Sequence, residues 1–343
     1  MNGLRFAAIG AGFWANFQLH GWQSTLGTEC VAICDRERSK AEVLAAKFGI
    51  AAVYDDAEEM LRKERIDFID VISGVDTHAK IVKMAASLGI AVVCQKPMAS
   101  SLEEAEQMVR ACRKAGVPLL INENWRWQTP IRRLKEILST EKIGHPFRAR
   151  ISMMSGFPVF DNQPSLRNLE HFILTDLGSH ILDVARFLFG EPRRLYCQTH
   201  KIHQDIRGED VATVLIETQQ NTTVLAELAY AGNHLERDRF PETCVFIEGE
   251  TGSLELTHDF VIRVTSRDGT HISRIPPPTY SWADPAYAIV HSSIVPCQAN
   301  LLASLQGTGK AETDGDDNLK TVRMVYASYE SAQSGKSISF EDL

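Results

Sequence analysis

A mostly apolar run, Leu4–Ile9, leads without a break into Gly10-Ala11-Gly12-Phe13-Trp14-Ala15. The pattern is G-x-G-x-x-A, set between a predicted strand and a predicted helix. At such a junction the first glycine permits a tight turn and the second lets the backbone approach a pyrophosphate. Ala15, in the third place, lets helix and strand pack closely, and the helix N-terminus faces the anion. The motif alone is weak. Its place after the first strand and before a helix is what points to a dinucleotide site.

The alternation continues through residue 122. Apolar runs recur at Cys30–Cys34, Phe68–Ile72, Ala91–Cys94 and Pro118–Ile121, with a weaker one at 51–54 and helical stretches between them. Ser101 and Glu104 make a capping box for the helix after Pro97, and Gly116 followed by Pro118 marks its end. Near-continuous apolar strands alternating with helices predict a doubly wound parallel sheet covered on both faces, over residues 1–123. The second strand ends at Asp35, whose carboxylate can accept from a ribose 2′-hydroxyl. Arg36 and Arg38 can hold a 2′-phosphate, but the carboxylate opposes that anion, so NAD is expected ahead of NADP.

After about residue 124 the pattern changes. A helix near Pro130–Ser139 leads to a strand at 147–153, then to the irregular stretch Phe157-Pro158-Val159-Phe160-Asp161-Asn162-Gln163-Pro164. A helix ends at Gly190, and from there strands dominate, with turns at 219–221 and 268–269. Helices close the chain at 293–305 and 318–331. Residues 124–343 therefore read as a second α/β domain with an open, largely antiparallel sheet. A length of 343 residues fits two domains.

Two constellations carry chemistry. Lys96 stands where the run Ala91-Val92-Val93-Cys94-Gln95 gives out, before Pro97. The carboxyl end of a parallel strand is where ligands bind, and an ammonium there meets a reacting oxygen with three N–H donors and a positive charge. The second is the helical run 175–187, in which Asp176 and His180 are spaced i, i+4 on one face, with Asp183 near the same stripe. A carboxylate one turn before a histidine orients the ring and raises its basicity. The helix alone fits an ordinary surface Asp–His pair or cap better. Dehydrogenation needs a nucleotide acceptor, a base for the hydroxyl proton and a cation for the developing alkoxide, and the three motifs together supply those parts.

Composition narrows the rest. A net charge of −8 argues against nucleic acid and anionic membrane as partners. No apolar run approaches the roughly 18 residues of a membrane span. The first strand begins near Leu4, which leaves no room for a leader, so a cytoplasmic location is expected. The seven cysteines show no CxxC pair and read as reduced core residues. Cys197, His200 and His203 are the one group to weigh as metal ligands. A strand reading puts Cys197 and His203 on one face with His200 turned away, no fourth ligand is evident, and no metal is expected.

The fingerprint, the Gln95-Lys96-Pro97 motif, the Asp176-x3-His180 helix and the Gly249-Glu-Thr-Gly252-Ser253 turn together resemble the Gfo/Idh/MocA family of sugar and polyol dehydrogenases over nearly the whole chain. The resemblance implies a Rossmann domain, then an α/β domain whose sheet's outer face often joins subunits, hence a homo-oligomer (dimer or tetramer). It implies Lys96, Asp176 and His180 as the catalytic group and a small sugar as substrate. It places Gly10, Gly12, Phe13, Trp14, Asp35, Arg36, Ser73, His78, Gln95, Lys96 and Asn124 at the cofactor.

There are departures. The loop after the fourth strand has Gly74 and Val75 where proline and often asparagine are usual, and Trp125 replaces the first arginine of an Asn-Arg-Arg run. That tryptophan can stack on a sugar face or simply pack in the core. Gln95 stands where glutamate is usual, which keeps hydrogen-bonding capacity but removes a charge beside Lys96. The runs 94–98, 122–127, 157–164 and 317–321 narrow the resemblance to members that oxidise an aldose at its anomeric carbon. Phe160, Asp161, Asn162 and Gln163 then line the sugar pocket, or form an ordinary loop with Phe157 and Phe160 packed inward. Inositol or polyol dehydrogenation, and nicotinamide sensing without chemistry, remain the alternatives.

Overall fold

Residues 3–231 and 240–340 are described by the structure, a computed structural model. Two units emerge. One takes the residues up to Glu123 together with Ile294–Val322; the other takes Asn124–Ser293 together with the residues from Arg323 onward.

In the first unit, strands β1 (Leu4–Ile9), β2 (Thr28–Cys34), β3 (Ala52–Tyr54), β4 (Phe68–Val71), β5 (Ala91–Gln95) and β6 (Leu119–Asn122) form one sheet in the order β3-β2-β1-β4-β5-β6. All its pairings are parallel. Helices α1 (Phe13–Ser24), α2 (Arg38–Phe48), α3 (Ala57–Lys63), α4 (Val75–Ser87) and α5 (Leu102–Ala115) make the crossovers. The strands are buried on both faces, which is why they read as continuous apolar runs. Local rules set the helix ends. Ser101 Oγ accepts from Glu104 N–H at 3.1 Å, while the Glu104 carboxylate takes the N–H of Ser100. Gly116 closes α5 in the left-handed region.

The segment Ile294–Val322, which sequence alone assigns to the second domain, groups with the first unit through specific bonds. Gln298 Nε2 donates to the Gln18 carbonyl, and Thr313 Oγ1 to the Ile121 carbonyl.

In the second unit, β7 (Pro146–Met154), β8 (Pro192–His200), β9 (Val211–Thr218), β10 (Thr223–Ala229), β11 (Cys244–Gly249), β12 (Gly252–Thr257), β13 (Val261–Ser266), β14 (Gly269–Arg274) and β15 (Ile338–Ser339) form a nine-stranded sheet. Its order is β14-β13-β12-β11-β7-β10-β9-β8-β15, antiparallel throughout except that β7 and β10 run parallel. Helices α6 (Thr129–Leu138) and α8 (Ser179–Phe189) lie against one face; the short α7 (Val159–Asn162) is in the irregular stretch. Along β7, β9 and β10 buried and more exposed residues alternate, as expected of a sheet covered on one side.

The remaining helices are α9 (Ala288–His291), α10 (Ile294–Leu305) and α11 (Gly315–Ser334). The stretch Pro285–Leu305 is long and apolar enough to cross a membrane by length and composition, contrary to the sequence reading. More than half of it is buried within the protein, and a 3-10 turn and α9 interrupt it, as suits core helices. The seven cysteines are free thiols, five of them buried.

Candidate active site

The fingerprint loop has the shape a pyrophosphate cradle requires. Gly10 sits at φ +108°, and a Cβ there meets Ser73 N at 2.6 Å and Ile72 C at 2.7 Å, so only glycine fits. The space a Cβ at Gly12 takes is open, and Gly12 caps α1 without a side-chain hydrogen bond. Its backbone therefore offers N–H groups at a positive helix end. Phe13 and Trp14 open α1, each within about 6 Å of the Phe17 ring.

Asp35 Oδ2 accepts from Ala11 N–H at 2.7 Å and Oδ1 from Glu37 N–H at 2.9 Å. The carboxylate thus pins the glycine loop to the end of β2 while half-exposed, and Arg36 beside it is exposed. Ser73 and His78 form a brace. The His78 ring reaches the Ser73 carbonyl at 3.0 Å through Nε2 and the Met98 carbonyl at 3.3 Å through Nδ1. Burial lowers the pKa of this imidazole, so the neutral ring donates best to the nearer carbonyl, that of Ser73. His78 thereby holds the Ser73 carbonyl, in the loop after β4. Lys96 is half-buried, and its own N–H donates to Gln95 Oε1 at 2.8 Å.

In the second unit the sequence expectation needs one correction. Asp176 lies in a π-helical turn, Leu174–Gly178, and the α-helix begins only at Ser179. The i, i+4 geometry of a continuous α-helix therefore does not apply. Thr175 Oγ1 donates back to the His171 and Phe172 carbonyls, and the Glu209 carboxylate takes the Phe172 and Leu174 N–H groups. The Phe172 carbonyl also accepts the Asp176 N–H at 2.9 Å, a bond of α-helical spacing at the start of the π turn.

His180 is buried, and its ring stacks on Trp125 at 4.4 Å and 26°. Trp125 is 1 % exposed, donates through Nε1 to Thr243 Oγ1 at 2.9 Å and meets Phe240 edge-on. It thus backs the histidine instead of offering an open face. Arg126 grips Asp183 with Nε at 2.7 Å and Nη2 at 2.5 Å, both residues buried, and Arg186 pairs with Glu191. Asp183 is accordingly an anchor for α8. Burial, and then the Asp176 charge, push the Tyr230 hydroxyl well above its ordinary pKa; that hydroxyl is buried and has no hydrogen-bond partner among the described residues.

The other sequence candidates fall as follows. Asn124 is buried, with Nδ2 on Ser293 Oγ at 2.9 Å. Phe160 is buried against Phe172 and His203 with Arg167 over its ring, Asp161 is exposed, and Gln163 is half-buried. The strand carrying Cys197 ends at His200, so His203 lies beyond it and shares no strand face; its Nδ1 meets Asp210 Oδ2 at 2.6 Å.

Sequence reasoning missed Thr243, Tyr230 and Asp70. Only Asp70 gave a signal, as a carboxylate inside the apolar run Phe68–Ile72.

Two family models match. Residues 4–123 match the Gfo/Idh/MocA oxidoreductase family's NAD-binding Rossmann fold, and residues 131–255 its C-terminal domain. The chain belongs to the Gfo/Idh/MocA oxidoreductase family, and its first unit is that family's NAD-binding fold. It is 40 % identical over 337 residues to the D-apiose dehydrogenase of Paraburkholderia graminis, covering 98 % of this chain and 90 % of that protein. It is also 40 % identical to the D-apiose dehydrogenase of Rhizobium rhizogenes, covering 98 % of each. Among solved structures, an oxidoreductase from Agrobacterium radiobacter in complex with NAD+, L-tartaric acid and magnesium superposes with a TM-score of 0.95 at 40 % identity, covering 98 % of both chains.

Proposed function

We propose that this protein oxidises D-apiose at its anomeric carbon to apionolactone, with NAD as cofactor, in carbohydrate catabolism. The observation that carries the reading is end-to-end similarity, at 40 % identity, to two D-apiose dehydrogenases. The geometry of the first unit fits the cofactor. An uncapped α1 N-terminus and open space at Gly12 suit a pyrophosphate, and Asp35 at the end of β2 suits a ribose. The Asp35 carboxylate favours NAD over NADP, whose extra phosphate it repels. Ser73, held by His78, and Gln95 complete the cofactor side. Bound NAD supplies a hydride acceptor for the sugar C–H.

The remaining work falls to side chains. His180 takes the proton of the anomeric hydroxyl on an imidazole nitrogen. Lys96 donates N–H bonds to the same oxygen and offsets its developing charge. Asp176 orients the base or the substrate. Trp125 fixes the plane of the His180 ring, and Arg126–Asp183 fixes the helix that carries it.

The protein works in the cytoplasm as a homo-oligomer. The outer face of the nine-stranded sheet supports the assembly, since Met154, Leu215, Phe246 and Ile272 are exposed there among Arg150–Glu227 and Arg148–Glu248 pairs.

The test is a screen for NAD reduction over small aldoses and polyols. Lactone from D-apiose, with higher kcat/KM for NAD than for NADP, is the expected result. Ketone from inositol or another polyol instead indicates a polyol dehydrogenase, and tight cofactor binding without turnover indicates a sensor.

A further inference from the structure

A buried carboxylate lies in the centre of the parallel sheet with no cation among its partners in the described residues. Asp70 of β4 is 0 % exposed. Its Oδ2 accepts from Trp22 Nε1 at 2.6 Å and from Gln18 Nε2 at 3.1 Å; Oδ1 accepts from Asn122 Nδ2 at 3.3 Å. The chain of bonds continues. Gln95 Nε2 donates to Gln18 Oε1 at 3.4 Å, and Gln95 Oε1 accepts the backbone N–H of Lys96 at 2.8 Å. Gln18, Trp22, Asp70 and Asn122 are all almost wholly buried.

The two ends of this chain are groups that only donate: an indole N–H and a backbone N–H. Donors at both ends require one group between them that accepts from both sides, and Asp70 Oδ2 is that group. The amide orientations then follow. Gln18 must turn its NH2 to Asp70, so its oxygen faces Gln95; Gln95 must turn its NH2 to Gln18, so its oxygen faces Lys96. The same logic accounts for an amide at position 95. A carboxylate there accepts from Lys96 N–H but has nothing to donate to Gln18. The ladder of β5 ends at Gln95, so the N–H of Lys96 is the first beyond the sheet, and the Gln95 side chain holds it in place.

We propose that Trp22, Asp70, Gln18 and Gln95 form a hydrogen-bond relay that positions Lys96, its bonds converging from both ends on Asp70 as the acceptor. These are positioning residues, and the inference rests on the reading of Lys96 as the group that meets the reacting oxygen. Protonation of Asp70 leaves the relay intact. Trp22 keeps Oδ2 an acceptor, so the proton settles on Oδ1, facing Asn122, whose amide turns to receive it.

The experiment is a double-mutant cycle of Gln18→Met and Gln95→Met, with Lys96→Met, Asp70→Ala and Asp70→Asn alongside. Each variant is measured for kcat and sugar KM with D-apiose or whichever aldose the screen selects, for NADH binding by fluorescence titration, and for melting temperature. The relay predicts a kcat lower by about tenfold in Gln18→Met, the size of one well-placed hydrogen bond. It predicts no further loss of kcat in the double variant beyond Gln95→Met alone, and an NADH affinity in Gln18→Met within about twofold of the native protein's. Asp70→Ala shares the loss, and Asp70→Asn, which keeps an acceptor oxygen for Gln18, restores most of the rate.

Losses that add, or a Gln18→Met enzyme with full kcat while Lys96→Met is inactive, overturn the relay and leave the role of Lys96 standing. So does an Asp70→Asn protein that is folded yet as slow as Asp70→Ala. Normal turnover in Lys96→Met overturns the reading beneath the relay.

Discussion

Replacing Asp70 by asparagine should make the protein more stable, and increasingly so as pH rises from about 4 to about 7. Burial raises the pKa of this carboxyl from 3.8 to about 7, against the lowering effect of its bonds from Trp22 and Gln18. A raised folded-state pKa means that the native protein holds a proton which the unfolded chain has released. Below the ordinary carboxyl pKa both states are protonated and ionisation costs nothing. Between about 4 and 7 the unfolded chain gains from ionising while the native protein does not, so stability falls with pH; above about 7 the deficit is constant.

The shift of about three units, at about 1.4 kcal/mol each, gives a deficit on the order of 4 kcal/mol. Asparagine removes the charge and keeps the bonds, its oxygen taking the place of Oδ2 and its NH2 facing an Asn122 amide turned about. The assay is urea denaturation of both proteins at intervals from pH 4 to 8. The expected result is near-equal midpoints at pH 4 and a growing lead for the Asn variant that levels off above pH 7. A difference that stays flat across the range, or that moves in favour of the native aspartate, refutes the assignment of a proton to this site.

Three further outcomes follow from the structure. Arg126→Met removes the bidentate partner of buried Asp183 and leaves it the Arg186 guanidinium at 3.9 Å, so it should cost about 3 kcal/mol in urea denaturation, whereas exchanging both partners together for apolar residues should cost less. Gly10→Ala brings a methyl to 2.6 Å from Ser73 N at a φ of +108°, so NADH affinity measured by fluorescence should fall at least tenfold, or the first unit should lose stability. Trp125→Phe loses the bond to Thr243 and part of the stack on His180, and should lower kcat about tenfold with NADH binding unchanged.

Much of the first unit was legible because its signals are local. Strand positions, the glycine fingerprint and the Ser101 cap each depend on residues within a few positions of one another, and each strand is apolar on both faces. Lys96 was legible for the same reason, as a charge at the end of such a strand. What escaped the sequence depends on long-range pairing. The β7–β10 contact is parallel inside an otherwise antiparallel sheet, and no alternation of side chains tells parallel from antiparallel. The π turn at Asp176 changes the helical period over five residues, which the periodicity of the apolar residues does not register. Trp125 showed itself as an aromatic near the site, but its role behind His180 follows from the chain bringing Thr243 to its nitrogen. The Asp70 relay joins three elements, α1, β4 and β5, between residues 18 and 96, and only the carboxylate inside an apolar strand hinted at it.

The central claim is that an anomeric hydroxyl loses its proton to His180 and its developing charge is met by Lys96. The most direct measurement is the reaction of D-apiose and NAD with the native protein, Lys96→Ala and His180→Ala, following NADH in the light path and the sugar product by NMR. The account predicts lactone and NADH in equal amounts from the native protein, and a kcat at least a hundredfold lower in each variant while NADH binding changes little. Near-native kcat in either variant, or no lactone from the native protein, contradicts it.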